Sequence, residues 1–268
     1  MAVQPQQTLL FFLTKIFFLC SVFLLPRVNS VSFTFNAFNP NMGGISFQGD
    51  AFSSSGVLQL SRNQIDNNLT YSAGRASYIR PVHIWDANTG QLTDFTTRFS
   101  FIAKDVRDST IYGDGLTFFL APVDSEIPPK AVGGYLALFS PENALNVSKA
   151  NQIVAVEFDS YSNAWDPGYD HVGINVNSIV SVAEVSWKSN IYNGEVVNAW
   201  VNYDSVSKNM SVFVSDTQNP VFRGIYSFSY NVDLRDVLPE WARIGFSAST
   251  GTAVETNSIL SWEFYSTL

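Results

Sequence analysis

The chain has 268 residues, enough for one large all-β domain with a sizeable core. Aromatic residues make up 15% of it and charged residues only 14%, a balance that argues against disorder and coiled coil. Lys plus Arg number 15 against 23 Asp plus Glu, a formal charge of −8, so the surface repels phosphate backbones and no nucleic-acid partner is expected.

Residues 1–30 read as a secretory signal peptide. Lys15 precedes the apolar run Ile16 to Leu25, and Val28-Asn29-Ser30 offers small residues for cleavage. The run is shorter than the ~20 residues a membrane-spanning helix needs, so no membrane span is expected. Cleavage would remove Lys15, Arg27 and the only cysteine, Cys20, leaving 13 basic and 23 acidic residues, net −10. A cysteine-free mature chain, residues 31–268, excludes disulfide scaffolds, cysteine nucleophiles and zinc-cysteine sites. The glycosylation sequons at Asn68, Asn146 and Asn209 fit passage through the secretory pathway to an extracellular or vacuolar (protein storage body) destination.

After Ser30 short alternating segments are separated by clusters of Gly, Pro, Asn, Asp and Ser, the pattern of an antiparallel β-sandwich. Phe33 and Phe35 alternate with polar neighbours, and the same period returns over Phe95 to Phe101. Val197, Ala199, Val201 and Tyr203 form one face of a strand that turns through Asp204 to Asn209 into Val212 and Val214, a hairpin. The stretch Val232 to Leu238 reads as about two helical turns, stopped by Pro239. His83, in Val82-His-Ile84, reads as structural or as part of the surface rather than as a ligand.

The chemistry concentrates in Ile153-Val-Ala-Val-Glu-Phe-Asp159 and in the loop and strand after it. Alternation puts Glu157 and Asp159 on one side of a strand, roughly 7 Å apart at Cα, close enough for both to reach one cation. A loop then offers Tyr161, Asn163 and Asp166, and the next strand begins at His171 with its imidazole opposite the apolar Val172, Ile174 and Val176. Hard oxygen donors suit calcium, and carboxylates with one imidazole suit an ion such as manganese. The same carboxylates would also fit a solvated strand edge with a turn at Asp166-Pro167.

The string Val154-Ala-Val-Glu-Phe-Asp159, with Tyr161, Asn163, Asp166 and His171 ahead of Val-Gly-Ile-Asn-Val-Asn-Ser178, resembles the metal-binding signature of the legume lectins. The resemblance runs from Ser32 to Phe264 and implies a concanavalin-like jelly roll with one calcium and one manganese ion. By position, Glu157, Asp159, Asp166 and His171 would hold manganese, with Ser181 contributing through water. Asp159, Asp166, the Asn163 side chain and the Tyr161 carbonyl would hold calcium. The resemblance further implies that Asp114, after a cis peptide, accepts hydrogen bonds from sugar hydroxyls and that Gly134 donates its N–H. Asn163 would donate its amide to the sugar, Tyr161 would stack on the pyranose, and Thr252 and Ala253 would offer main-chain N–H groups. Relatives usually carry Ala where this chain has Gly113, and Gly where it has Ala137, a departure placed within a strand. The loop holding Thr252 and Ala253 is short, as in mannose/glucose-binding members rather than galactose/GalNAc-binding ones, but it lacks their longer polar side chain near Ala253.

The implied function is therefore metal-dependent binding of glycans and glycoproteins by a secreted homodimer or homotetramer. A glycan-hydrolysing enzyme of the same sandwich architecture would need Glu-x-Asp-x-x-Glu along the strand, and position 162 is Ser. A seed storage or defence relative that has lost sugar binding would lack ligands or loops that are intact here.

Overall fold

The computed structural model describes residues 30–40, 42–64, 68–107, 111–188, 193–217 and 227–268. All of the expected signal peptide except Ser30 lies outside the described residues. Sixteen strands and short 3-10 turns form the described part, and among these residues no helix is long and apolar enough to cross a membrane.

The first sheet has eight strands. It contains β1 (Val31–Phe35), β3 (Phe52–Ser54), β4 (Val57–Gln59), β7 (Asp94–Asp105), β12 (Val197–Asp204), β13 (Asn209–Ser215), β14 (Phe228–Asn231) and β16 (Glu255–Thr267). Its order is β14-β13-β12-β7-β16-β4-β3, with β1 also pairing β16. The second, also eight-stranded, contains β2 (Ile45–Gly49), β5 (Ala73–Tyr78), β6 (Val82–His83), β8 (Gly115–Pro122), β9 (Val154–Asp159), β10 (His171–Val176), β11 (Ser181–Ser186) and β15 (Trp241–Ser249). Its order is β11-β10-β9-β8-β15-β5-β2, with β6 also pairing β15. All pairings are antiparallel, as the short segments and turn clusters implied.

Period-two alternation explains why the sheets stack. On β7 the buried Phe95, Thr97, Phe99 and Phe101 alternate with more exposed neighbours, and Ile259, Trp262 and Phe264 of β16 face the same core. Phe99, Phe118, Phe158, Phe246 and Trp262 interlock in stacked and edge-to-face pairs with centroids 4.8 to 5.9 Å apart. The indole N–H of Trp262 donates to Thr97 Oγ1 at 2.9 Å, so its one polar atom is satisfied inside the core. The β12–β13 hairpin forms as read, with Tyr203 opposite Met210. The expected two-turn helix shrinks to one 3-10 turn, Leu234–Asp236, capped by Asp233. Seven residues make too few i→i−4 bonds to sustain a helix, and Pro239 disfavours the helical conformation at Leu238.

Strands β8, β9 and β10 are buried on both faces, which rules out a solvated strand edge for Glu157 and Asp159. One face joins the inter-sheet core. The other supports a second apolar cluster of Phe119, Ala155, Leu136, Leu138, Phe139 and Ile179, which roofs the sheet with the chain between β8 and β9. Gly133–Tyr135 form a 3-10 turn in that roof, followed by Leu136 and Ala137 at φ 52° and 56°. Ala137 therefore lies in a left-handed turn rather than in a strand, which is the conformation glycine favours.

Candidate functional site

Register places residues far apart in sequence side by side. Asp159 lies across from His171 of β10 and from Gly115 of β8, and Glu157 lies across from Gly173 and Thr117. Asp114, at the mouth of β8, is thereby held beside the acidic end of β9. The Gly113–Asp114 peptide is cis, as the resemblance implied. The Asp114 backbone is fixed on both sides: its N–H donates to Ser249 O and its carbonyl accepts from Ser160 N–H, each at 3.2 Å.

Four loops converge on the Asp114 carboxylate. Gly251 packs on it, and a Cβ built on Gly251 would stand 3.1 Å from its Oδ2. Gly133 faces it from the roof and is tied to the Gly251 loop by its N–H to Thr250 O at 3.1 Å and by Ser249 Oγ–H to Gly133 O. Gly134 is buried and packs directly on the Asn163 amide, where a Cβ would lie 2.6 Å from Cγ. The Tyr161 side chain packs against Gly113. Of the groups proposed for sugar, Asp114, Gly134, Tyr161 and Asn163 share this spot, and Gly251 brings the exposed Thr252 and the buried Ala253 to its edge.

The acidic end of β9 has the properties of a cation site. Burial pushes the Asp159 carboxyl well above its ordinary range, and the negative charges of Glu157 and Asp166 push it further. Burial likewise raises Asp166 to about 6 and Asp114 to about 7. Buried Glu157 Oε2, Asn163 Oδ1 and Asp114 Oδ2 have no hydrogen-bond partner, an expensive arrangement unless something else satisfies them. His171 Nδ1 lies 3.3 Å from Tyr169 O, an acceptor only, so Nδ1 carries the proton and Nε2 points its lone pair at Glu157 Oε1, also 3.3 Å away. Burial opposes protonation of His171, but the hydrogen bond and charge of Glu157 outweigh it and raise its pKa. Two acceptors facing each other require a proton or a metal ion between them. The loop is held by Tyr161 N–H to Asp159 Oδ1 at 2.9 Å and Asn163 N–H to Asp166 Oδ2 at 2.6 Å. The donor set of carboxylates, an amide oxygen and one imidazole thus fits calcium beside manganese.

Ser181 Oγ donates directly to Glu157 Oε1. His83 is buried, bonds Glu240 Oε1 at 3.0 Å and stacks on Trp241 with ring centroids 4.3 Å apart. With Asp86 and Glu240 it also forms a trio whose ligand atoms lie within 4.8 Å of one another. Asp86 Oδ1 there caps the turn through Asn88 and Thr89, and Glu240 Oε1 accepts from Ala87 N–H, so the trio is also a hydrogen-bonded turn. Of the sequons, Asn68 and Asn146 are exposed, whereas the Asn209 Nδ2 donates to Asn231 Oδ1 at 2.5 Å.

Several supporting residues escaped the sequence reading. Glu255 is fully buried, bonds Ser160 Oγ at 2.6 Å, and is raised to about 7 by burial. Arg75 Nε and Ser247 Oγ donate to Ala137 O and Leu136 O at 2.7 and 2.6 Å, holding the left-handed pair behind Gly134. Gly173 leaves room for Glu157, since a Cβ there would stand 2.7 Å from Oε1. Glu255 was findable: it shares the inward phase of β16 with Asn257 and Ile259.

The sandwich thus carries polar, unsatisfied groups on loops at the rim of one sheet, backed by an acidic cluster, and its relatives place it in the lectin class of carbohydrate-binding proteins. The legume lectin domain matches residues 30–267, and the chain belongs to the legume lectin family. Lectin 7 of Medicago truncatula is 47% identical, with 99% of each chain covered. Lectin I of Ulex europaeus, solved with the methyl glycoside of α-L-fucose, superposes with a TM-score of 0.79 at 37% identity, covering 89% of this chain and 98% of that one. The lectin of Bauhinia forficata in complex with GalNAc gives 0.77 at 37% identity, covering 88% and 98%. The relatives are lectins, and the chain is a binding protein rather than an enzyme.

Proposed function

We propose that the chain is a calcium- and manganese-dependent lectin that reads one terminal sugar of a glycan through Asp114, Gly134, Asn163, Tyr161 and the Thr252–Ala253 main chain. The observation that carries this is the convergence of Asp114, Gly134 and Asn163 with two buried, unpartnered oxygens, Asp114 Oδ2 and Asn163 Oδ1. Glu157, Asp159, Asp166 and His171 would hold manganese, and Asp159, Asp166, Asn163 and the Tyr161 carbonyl would hold calcium. The bound cations supply the positive charge that keeps these carboxylates ionised and close together. The Asp114 carboxylate then accepts from two sugar hydroxyls, Gly134 N–H and the Asn163 amide donate, and the Tyr161 ring covers an apolar face of the pyranose.

The short loop after Gly251 favours mannose or glucose. Galactose-type or fucose ligands are the second reading, supported by the fucoside and GalNAc complexes of the two neighbours. Secretion after loss of residues 1–30, delivery to the cell exterior or the vacuole, glycans on Asn68, Asn146 and Asn209, and assembly into a homodimer or homotetramer complete the proposal. Of the three sequons, exposure favours Asn68 and Asn146 most.

The test is binding of the purified protein to immobilised mannose, glucose, galactose, GalNAc and fucose glycans with calcium and manganese, and again after chelation. Binding that vanishes on chelation and returns with the metals supports the reading, and the preferred sugar chooses between the two specificities. Absence of binding in the metal-loaded state would instead mark a non-binding storage or defence relative.

A further inference from the structure

Tyr71 is 55% exposed, yet its backbone is left-handed, with φ 54°. A bulky residue is costly in that conformation, and glycine or asparagine would be cheaper. Neither core packing nor backbone preference therefore accounts for a tyrosine at this position. Its place in the fold does offer a reason. Tyr71 N–H donates to Gly251 O at 3.1 Å, while Gly251 packs on the Asp114 carboxylate, a Cβ built on it standing 3.1 Å from Asp114 Oδ2. A single residue thus touches both Tyr71 and the group that accepts the sugar hydroxyls. Adding bond lengths puts the Tyr71 nitrogen at most about 10 Å from that carboxylate.

The segment carrying Tyr71 is also clamped. Thr250 N–H donates to Ser72 O at 2.9 Å, Ser72 N–H donates to Thr250 Oγ1 at 3.0 Å, and Thr250 Oγ1–H donates to Leu69 O at 2.7 Å. Both neighbours, Thr70 and Ser72, are less exposed than Tyr71, and Leu69 is buried. The exposed phenol therefore stands on a preorganised rim rather than on a loose loop, and a ligand that reaches it loses little ordering entropy.

We propose that Tyr71 forms an extension subsite: an aromatic platform for the second sugar ring of an oligosaccharide whose terminal ring sits at Asp114. A pyranose presents C–H groups on one face, and a tyrosine ring covers such a face while its hydroxyl bonds a neighbouring sugar hydroxyl. The subsite rests on the lectin reading, because it needs a first ring at Asp114. It makes Tyr71 a determinant of glycan length and linkage rather than of monosaccharide identity.

The experiment measures, by calorimetry on the metal-loaded full chain, the ratio of affinity for oligosaccharide to affinity for methyl glycoside. Methyl α-mannoside is set against mannobioses and mannotriose, and methyl β-galactoside against lactose. Wild type and Tyr71→Phe are expected to bind at least one oligosaccharide about tenfold more tightly than its methyl glycoside. Tyr71→Ala is expected to bring that ratio close to one. A ratio that survives in Tyr71→Ala, or a wild type with no preference for any oligosaccharide, overturns the subsite while leaving the lectin reading standing. Failure of wild type to bind any sugar overturns both. Loss of the methyl glycoside as well in Tyr71→Ala, with the melting temperature unchanged, would reassign Tyr71 to the primary site and also overturn the proposal.

Discussion

Gly134 shows how one hydrogen atom decides the site. A Cβ built there would lie 2.6 Å from Asn163 Cγ and 3.0 Å from Nδ2, where ordinary contacts begin near 3.4 Å. Asn163 Oδ1 would lie nearer still, so in Gly134→Ala the amide must retreat by well over 1 Å, enough to break hydrogen bonds whose geometry is tight. The displaced group is the one proposed to donate to sugar and to ligate calcium, and the added methyl also covers the Gly134 N–H. Two lost hydrogen bonds at about 1–1.5 kcal/mol each amount to about 2–3 kcal/mol, or about 30- to 150-fold weaker sugar binding. The fold should survive, because the Asn163 amide is the free end of a side chain. Titration calorimetry with the preferred methyl glycoside at saturating calcium and manganese, alongside a thermal melt, reads both quantities. Sugar affinity within threefold of wild type, with calcium still bound, would refute the placement of Asn163 and Gly134 against a common ligand.

Asp114→Asn and Asn163→Ala should each abolish detectable monosaccharide binding while shifting the melting temperature little; undiminished affinity in either variant would remove that residue from the site. Gly173→Ala puts a methyl 2.7 Å from Glu157 Oε1 and should weaken manganese retention at least tenfold, as read by metal analysis after dialysis. In the metal-free protein Asp114 and Asp166 titrate near 7 and 6, and Asp159 is also raised, whereas unfolded carboxyls titrate near 4. The folded state therefore holds protons that the unfolded chain releases, so this stability is present below about pH 4 and is lost as pH rises through about 7. The chelated protein should melt lower at pH 8 than at pH 5, and added calcium and manganese should raise the melting point more at pH 8; the reverse trend would contradict the cation-site assignment. Glu255→Ala removes the acceptor of Ser160 Oγ, and Ser160 N–H holds the Asp114 carbonyl, so sugar binding should weaken several-fold, while Glu255→Gln keeps an acceptor and should restore it.

Local alternation was enough to read the β12–β13 hairpin, the inward phase of β7 and the pairing of Glu157 with Asp159 on one side of a strand, because a strand's side-chain period is two whatever surrounds it. The cluster from Glu157 to His171 was legible for a related reason: its members lie within fifteen residues, on two strands that pair directly. Motif likeness supplied Asp114, Gly134 and the last loop, which no local pattern connects to β9. Local pattern misjudged how far the helix at Leu234–Asp236 extends and failed to anticipate that β8, β9 and β10 are covered on both faces, since a roof built from residues between β8 and β9 is a long-range fact. The positioning of Asp114 by Ser160 and Glu255, of Gly134 by Asn163, and of Tyr71 by Gly251 arises only when distant strands come into register. Sequence by itself determined the strand faces and the ligand chemistry, because these depend on neighbours along the chain. Only the tertiary structure decided which carbonyls, amides and glycines surround a sugar, because close approach is set by sheet pairing and not by spacing in the chain.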